Sequence, residues 1–220
     1  MNVTPSEVQK LLDSEDFGAR IKGINFLRHL EIKTAFEMIK PIVVDKNTRV
    51  RYAAVSQLDT LGTCDLHTSL EMLRDRLFND PEIDVRAAAA DAIGGLKLTE
   101  AFEDIQQVYR ETPEWLLKFS IVATLGELGD PRALEILQDA LASDSELLQI
   151  TAIGALGELG DPRAIPWLLP FVDRSDWQVR YRLAQALSKL GGEQVRSALE
   201  KLAADEVEQV ALEAKKYLGT

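Results

Sequence analysis

The sequence predicts an all-α protein, an α-solenoid of about seven helical hairpins forming a right-handed superhelix, and three observations predict it. The stretch from Leu125 to Ala133 recurs letter for letter from Leu156 to Ala164, 31 residues later. Apolar residues return at three- and four-residue spacing, as at Ala133, Ile136, Leu137, Ala140 and Leu141, which is the spacing of one buried helical stripe. No segment alternates apolar and polar residues with period two, so no sheet is expected. A fixed period in this range, with helical patterning on both sides of a turn, marks stacked helical repeats.

The recurring stretch itself reads as helix, turn, helix. Gly129 and Gly160 take the positive φ that follows a helix C-terminus, Asp130 and Asp161 cap the next helix, and Pro131 and Pro162 fit its first position, where a missing N–H is no loss. Stepping by 31 residues from Val179 places its counterparts at Leu148 and Leu117 upstream and Val210 downstream; Val85 follows across a one-residue insertion, Val50 across a four-residue insertion, and then Ala19. Seven hairpins result. Their first helices are expected at 6–12, 34–43, 66–78, 99–110, 131–142, 162–172 and 192–203, and their second helices at 17–30, 48–61, 83–96, 115–128, 146–159, 177–190 and 207–218. All are read as one repeat domain, 1–220.

A column of acids sits just before the second helices. Asp16, Glu82, Glu114 and Asp176 each precede by four residues a basic residue, Arg20, Arg86, Lys118 or Arg180. An acid there favours the helix dipole, and an i, i+4 pair adds a few tenths of a kcal/mol. These basic residues are expected chiefly as a stacking ladder between repeats; Asn47 with Arg51 and Ser145 with Gln149 break the pattern.

Composition narrows the function classes. The formal net charge is −11, from 25 basic and 36 acidic residues, a field that opposes binding to a nucleic-acid backbone or an anionic membrane. Cys64 is the single cysteine, so no intrachain disulfide forms and a reducing, cytoplasmic location is expected. The start of the chain has neither a basic region nor an apolar run, and no stretch has the length of a membrane span. With two histidines, His29 and His67, neither followed by Glu, no metal site is expected. There is no Gly-rich phosphate loop and no Ser-His-Asp set.

Function is expected on the surface lined by the second helices, where solenoids bind. Ile21, Tyr52, Phe119, Ile150 and Tyr181 occupy one register column there, joined by Trp115 and Trp177, which are equivalent positions two repeats apart. Rings in a row suit a flat ligand or a partner helix; the alternative is that they pack between repeats as core. Asp59 and Arg28 depart from a column that is otherwise mostly small, and Asp91 lies a repeat further on. A carboxylate and a guanidinium on this face suit a ligand's N–H donor and its acid group respectively, or pair with each other. Cys64 and His67 fall where the period lengthens to 35 residues, and form either an activated thiol or an incidental pair.

The repeat consensus, with Asp-Pro-Glu-Ile-Asp-Val-Arg-Ala-Ala-Ala at 80–89 and the two Leu-Gly-Glu-Leu-Gly-Asp-Pro-Arg-Ala copies, resembles HEAT-like repeats of the phycobilisome lyase type along the whole chain. Val3-Thr4-Pro5, Asp16-Phe17-Gly18, the run from Arg49 to Leu58 and the length resemble the NblB family of cyanobacterial phycobilisome degradation proteins. That resemblance implies a relative of the bilin lyases that works in the opposite direction, detaching phycocyanobilin from phycobiliproteins and associated with the phycobilisome, with no resident cofactor. Under it, Asp59 or Asp91 serves the pyrrole nitrogens as catalytic candidate. Arg28, Arg51, Arg180 or Arg182 serves propionates, and Tyr52, Phe119 and Tyr181, with Trp115 and Trp177, grip the open-chain ring system. The competing expectation is a non-enzymatic adaptor that clamps a partner helix.

Overall fold

The computed structural model describes residues 3–219, and every regular element among them is helical. The α-helices are α1 (Pro5–Leu12), α2 (Phe17–Leu27), α3 (Ile32–Ile39), α4 (Thr48–Ser56), α5 (Leu58–Leu61), α6 (Leu66–Asn79), α7 (Ile83–Gly95), α8 (Phe102–Glu111), α9 (Trp115–Leu128), α10 (Leu134–Leu141), α11 (Glu146–Leu159), α12 (Ile165–Leu168), α13 (Trp177–Leu190), α14 (Glu193–Ala203) and α15 (Glu208–Leu218). Among them α1 pairs with α2, α3 with α5, α6 with α7, α10 with α11, α12 with α13 and α14 with α15, as the expected hairpins require. The residues pack as two compact units, one ending at Ser120 and one beginning at Ile121.

The second helices at 115–128, 146–159 and 177–190 match their expected bounds, while proline reshapes the first helices. Pro41, Pro131, Pro162 and Pro170 each lie in a 3₁₀ segment, Lys40–Val44, Pro131–Ala133, Pro162–Ala164 and Leu169–Asp173. A ring without an N–H cannot sustain the α-helical bond there. Two second helices in the N-terminal unit also depart from expectation. α2 stops at Leu27, three residues early, and the helix expected over 48–61 breaks at Gln57, whose N–H turns back to the Ala54 carbonyl at 3.2 Å.

Within the N-terminal unit α4 packs between α2 and α7; within the C-terminal unit α13 packs between α11 and α15. First helices cover the other side, with α6 on α7 and α14 on α15. Phe36, Ile24, Leu58, Leu73 and Phe102 are fully buried in the first unit, and Leu137, Leu156, Leu183 and Leu199 in the second. Helices approach most closely in the C-terminal unit. A Cβ on Gly126 falls 2.6 Å from the Ala155 Cα, and one on Gly157 falls 2.6 Å from the Ala186 Cα, so only glycine fits this contact.

The ladder forms only in part and with different partners: Arg86 donates to the Leu77 carbonyl of its own hairpin and Lys118 lies over the Tyr109 ring, while Arg51, set apart from the pattern, joins Arg20 and Arg180 as a rung. Asp16 caps α2 by accepting from the Gly18 and Ala19 N–H groups, and Asp176 caps α13 by accepting from Gln178. The arginine four residues on reaches forward to the next hairpin instead. Arg20 meets Asp45 (Nη2 to Oδ1, 3.0 Å), Arg51 meets Asp80 (2.8 and 3.0 Å) and Arg180 meets Asp205 (2.6 and 2.9 Å), while each Nη1 donates back to carbonyls of its own loop. The forward aspartate does a second task, accepting from the N–H two residues on: Asn47, Glu82 or Val207. At the Gln149 rung the roles reverse, because Arg174 stands in the aspartate column and donates to the Gln149 amide oxygen at 2.7 Å.

Candidate functional site

The exposed face of the second helices is built from the i, i+3, i+4, i+7 positions that begin one residue before the buried Val50, Val85 and Val179. In the N-terminal unit this face carries a depression of about 620 Å³. Its floor is Ala53, Ala87, Ala88 and Ser120; Arg49 and Tyr52 stand on α4, Asp84 and Asp91 on α7, with Ile21 and Leu116 at the margins. Tyr52 is 48% exposed, so its ring is a wall open to solvent. Asp84 and Asp91 are exposed and seven residues apart on one helix.

The C-terminal unit has its own depression of about 660 Å³, with a different character. Leu147, Ile150, Trp177, Tyr181 and Leu212 form an apolar lining, bordered by Gln178, Gln209, Arg182, Glu213 and Lys216. Arg182 lies across Gly154, where an added Cβ falls 3.2 Å from its Cδ, and it donates to the Gln185 amide oxygen at 3.2 Å. Lys216 and Glu213 form an ion pair at 2.7 Å, and the hydrogen bond to Glu213 raises the Lys216 pKa.

A third cleft, of about 440 Å³, lies beside the break at Gln57. It holds Arg28 and Asp59 with Leu30, Ile32 and Thr60. The two charges do not bond each other: Arg28 donates to the Asn25 carbonyl and amide oxygens at 2.9 and 3.1 Å, and Asp59 accepts from the Thr60 hydroxyl at 2.8 Å.

The model for HEAT repeats matches residues 70–148 and 140–219. The chain belongs to the HEAT-repeat family. No curated protein matches it in sequence. Among solved structures, the complex of CpcE and CpcF of phycocyanin lyase from Nostoc sp. PCC7120 is similar over 99% of this chain and 88% of that one, with a TM-score of 0.67 at 22% identity. An engineered protein is similar over 97% of this chain and 67% of its own, with a TM-score of 0.61 at 17% identity. At these identities the likeness concerns the fold.

The HEAT hairpins thus distribute the expected site residues over separate places. Tyr52 and Asp91 share the N-terminal depression; Trp177, Tyr181 and Arg182 share the C-terminal one. Trp115 is 66% exposed at the start of α9 and Phe119 is half-buried, and neither lines a depression described above. The rings at 52, 115 and 177 are therefore surface, and the reading of them as core is corrected. Asp59 and Arg28 do not line the Tyr52 depression, because the helix breaks before Asp59 and α2 ends before Arg28.

Arg51 and Arg180 are both buried in ion pairs and line neither the Tyr52 nor the Tyr181 depression; Arg180 instead borders a further cleft of about 610 Å³ with Arg174, Lys201 and Asp205. The hydrogen bond that Arg51 donates to Asp80 holds the Arg51 pKa up, and the one that Arg180 donates to Asp205 does the same for Arg180. Burial pushes the Asp80 carboxyl up, but hydrogen bonds from Arg51 and the Glu82 N–H, with the charges of Arg51 and Arg76, outweigh it and leave the pKa below the usual range. His67 pairs with Glu71 at 3.6 Å on an exposed surface, with Cys64 exposed nearby in sequence. Among the described residues no cluster of His, Cys, Asp and Glu is arranged to hold a metal, and no helix is long and apolar enough to cross a membrane. Sequence reasoning missed Arg49 and Asp84; extending the Tyr52 column back one helical turn finds both.

Proposed function

We propose that this chain is a bilin-lyase-like HEAT protein that binds bilin-bearing phycobiliproteins and helps detach phycocyanobilin during phycobilisome degradation. The observation that carries this reading is the Tyr52 depression, where an exposed ring, an alanine floor, two carboxylates and a guanidinium meet in one ligand-sized space. The fold likeness to CpcE and CpcF of phycocyanin lyase along nearly the whole chain supports it.

In this reading the tetrapyrrole lies against Tyr52, its N–H groups face Asp84 and Asp91, and a propionate meets Arg49. The C-terminal depression, with Trp177 and Tyr181, takes a helix of the protein carrier. Detachment is an elimination: the proton on the carbon next to the thioether-bearing carbon leaves to a base, its electron pair becomes a carbon–carbon double bond, and the cysteine sulfur departs as thiolate and takes up a proton. No oxidant is needed. Asp91 is the base candidate, and gripping the ring system lowers the barrier by orienting the breaking bond.

A second reading, a scaffold that only clamps a partner helix, is favoured by the exposure of Asp84 and Asp91, since a reacting centre held there stays open to water. Incubating the protein with a chromophorylated phycocyanin subunit separates the two. Release of free bilin, seen in absorbance, supports detachment; binding without release supports the scaffold; no binding overturns both. Tyr52→Ala is expected to weaken binding about tenfold, the scale of losing one stacked ring, with an unchanged helical circular dichroism signal.

A further inference from the structure

The register column through Tyr52 has one gap. Ile21, Tyr52, Phe119, Ile150, Tyr181 and Leu212 fill it with large apolar side chains, and Ala87 stands alone as the small member. Ala87 is 5% exposed and lies on the floor of the N-terminal depression, next to Ala88 and between the walls raised by Tyr52 on α4 and Leu116 on α9. At that point the depression is floored by methyl groups alone. The helix that supplies the gap also supplies both carboxylates. Asp84 and Asp91 are seven residues apart on α7, a rise of about 10 Å at 1.5 Å per residue, and they flank Ala87 in sequence. Arg49 faces them from α4.

We infer that Ala87 is the size-determining residue of this site and that Asp84 and Asp91 hold an open-chain tetrapyrrole at two points along its length, in a stretched conformation. This rests on the tetrapyrrole reading proposed above. A ligand with a single ring reaches one carboxylate and leaves the other unused; a chain of conjugated rings with N–H groups along one edge spans both, and its acidic side chains meet Arg49 across the slot. Ala87 lines the depression of about 620 Å³, so a larger side chain that enters it takes space from the ligand.

The experiment titrates free phycocyanobilin into the full-length protein and follows absorbance. Ala87→Phe, which gives this repeat a large side chain where the other six carry one, is expected to weaken binding about tenfold or more by placing a clash in the slot, with the helical signal unchanged. Ala87→Ser keeps the space and is expected to bind like the wild type. Asp84→Asn is expected to weaken binding and also to reduce the gain of the long-wavelength band relative to the near-ultraviolet band, which reports stretching of the conjugated chain. Equal binding by wild type and Ala87→Phe overturns the assignment of the slot while leaving the tetrapyrrole reading standing. Absence of binding by the wild type overturns both. If Ala87→Phe lowers the melting temperature, the Asp84→Asn result decides, and an unchanged band ratio there overturns the two-point grip.

Discussion

The two units use the same helix positions to line their depressions, and fill them with opposite chemistry. Counting from the residue before the buried Val50, Val85, Val179 and Val210 and the half-buried Leu148, the N-terminal set is Arg49, Tyr52 and Ala53 on α4 and Asp84, Ala87, Ala88 and Asp91 on α7; the C-terminal set includes Leu147 and Ile150, Gln178, Tyr181 and Arg182, and Gln209, Leu212, Glu213 and Lys216. One is a polar-walled slot over alanine, the other an apolar trough bordered by amides and charge. A repeat fold fixes where side chains emerge and leaves their identity open, so one scaffold carries two kinds of site. The units also differ in how they are held. The N-terminal unit contains a three-residue charge node, Arg51–Asp80–Arg76, while the C-terminal unit has the two-residue pair Arg180–Asp205 and adds glycine contacts between helix backbones.

The largest expected effect is at that node. The Asp80 side chain is fully buried and accepts from Arg51, Arg76 and the Glu82 N–H. Asp80→Ala leaves the buried Arg51 guanidinium without its anion and Arg76 with Asp75 alone, and is expected to cost about 3–5 kcal/mol in a denaturant melt. Arg174→Ala, at the exposed reversed rung, is expected to cost less than about 0.5 kcal/mol. Equal losses would mean that the two rungs are equivalent and the contrast between units is false. The same carboxylates set the acid limit. Asp80 and Asp205 have pKa values lowered in the folded state, so their contribution is complete above the unfolded aspartate value of about 3.9 and is lost as pH falls through the folded-state values. Unfolding followed from pH 6 downward is expected to begin below about pH 4 in the wild type, and Asp80→Asn is expected to flatten that dependence.

The glycine contact comes next. Gly157→Ala places a methyl group 2.6 Å from the Ala186 Cα, and since backbone must move, a loss of about 1–3 kcal/mol is expected. Gly18→Ala in the N-terminal unit meets only the Asp16 carboxylate at 3.4 Å and is expected to be near neutral. A calorimetric comparison in which Gly157→Ala melts like the wild type would remove close backbone packing as the feature that distinguishes the C-terminal unit.

The fold was legible because the 31-residue register, the Gly-Asp-Pro turns and the apolar stripe all depend on local residues. The site was legible only in part. Tyr52 and Tyr181 stood out because a large ring recurs in one column, whereas the column holding Arg49 and Asp84 varies in type from repeat to repeat and carries no signal of its own. Arg51 and Arg180 were misplaced for another reason. Their partners, Asp80 and Asp205, lie 29 and 25 residues ahead, and a nearer acid or cap at the helix start hid that contact. Asp59 was grouped with Tyr52 because an unbroken helix puts them on one face, and the turn at Gln57 undoes that spacing.

The smallest effect sharpens the comparison at the helix ends. In the C-terminal unit Gly160 closes α11 at a φ of 70°, and Gly129 follows α9 at 67°; a residue without Cβ takes that conformation freely. In the N-terminal unit the matching place after α7 is held by Lys97 at a φ of 52°, where a side chain costs about 1–2 kcal/mol. Lys97→Gly removes that strain but adds freedom to the unfolded chain worth about 0.4–1 kcal/mol. The net expectation is a gain of about 0.5–1 kcal/mol, a rise of a few degrees or less in melting temperature. Gly160→Ala moves the other way, since it gains entropy yet takes on the strain, and is expected to lose a similar amount. Opposite signs in the two variants would establish that the N-terminal unit tolerates a strained cap where the C-terminal unit uses glycine. A loss in Lys97→Gly would show instead that the lysine side chain contributes more through its own contacts than its backbone conformation costs.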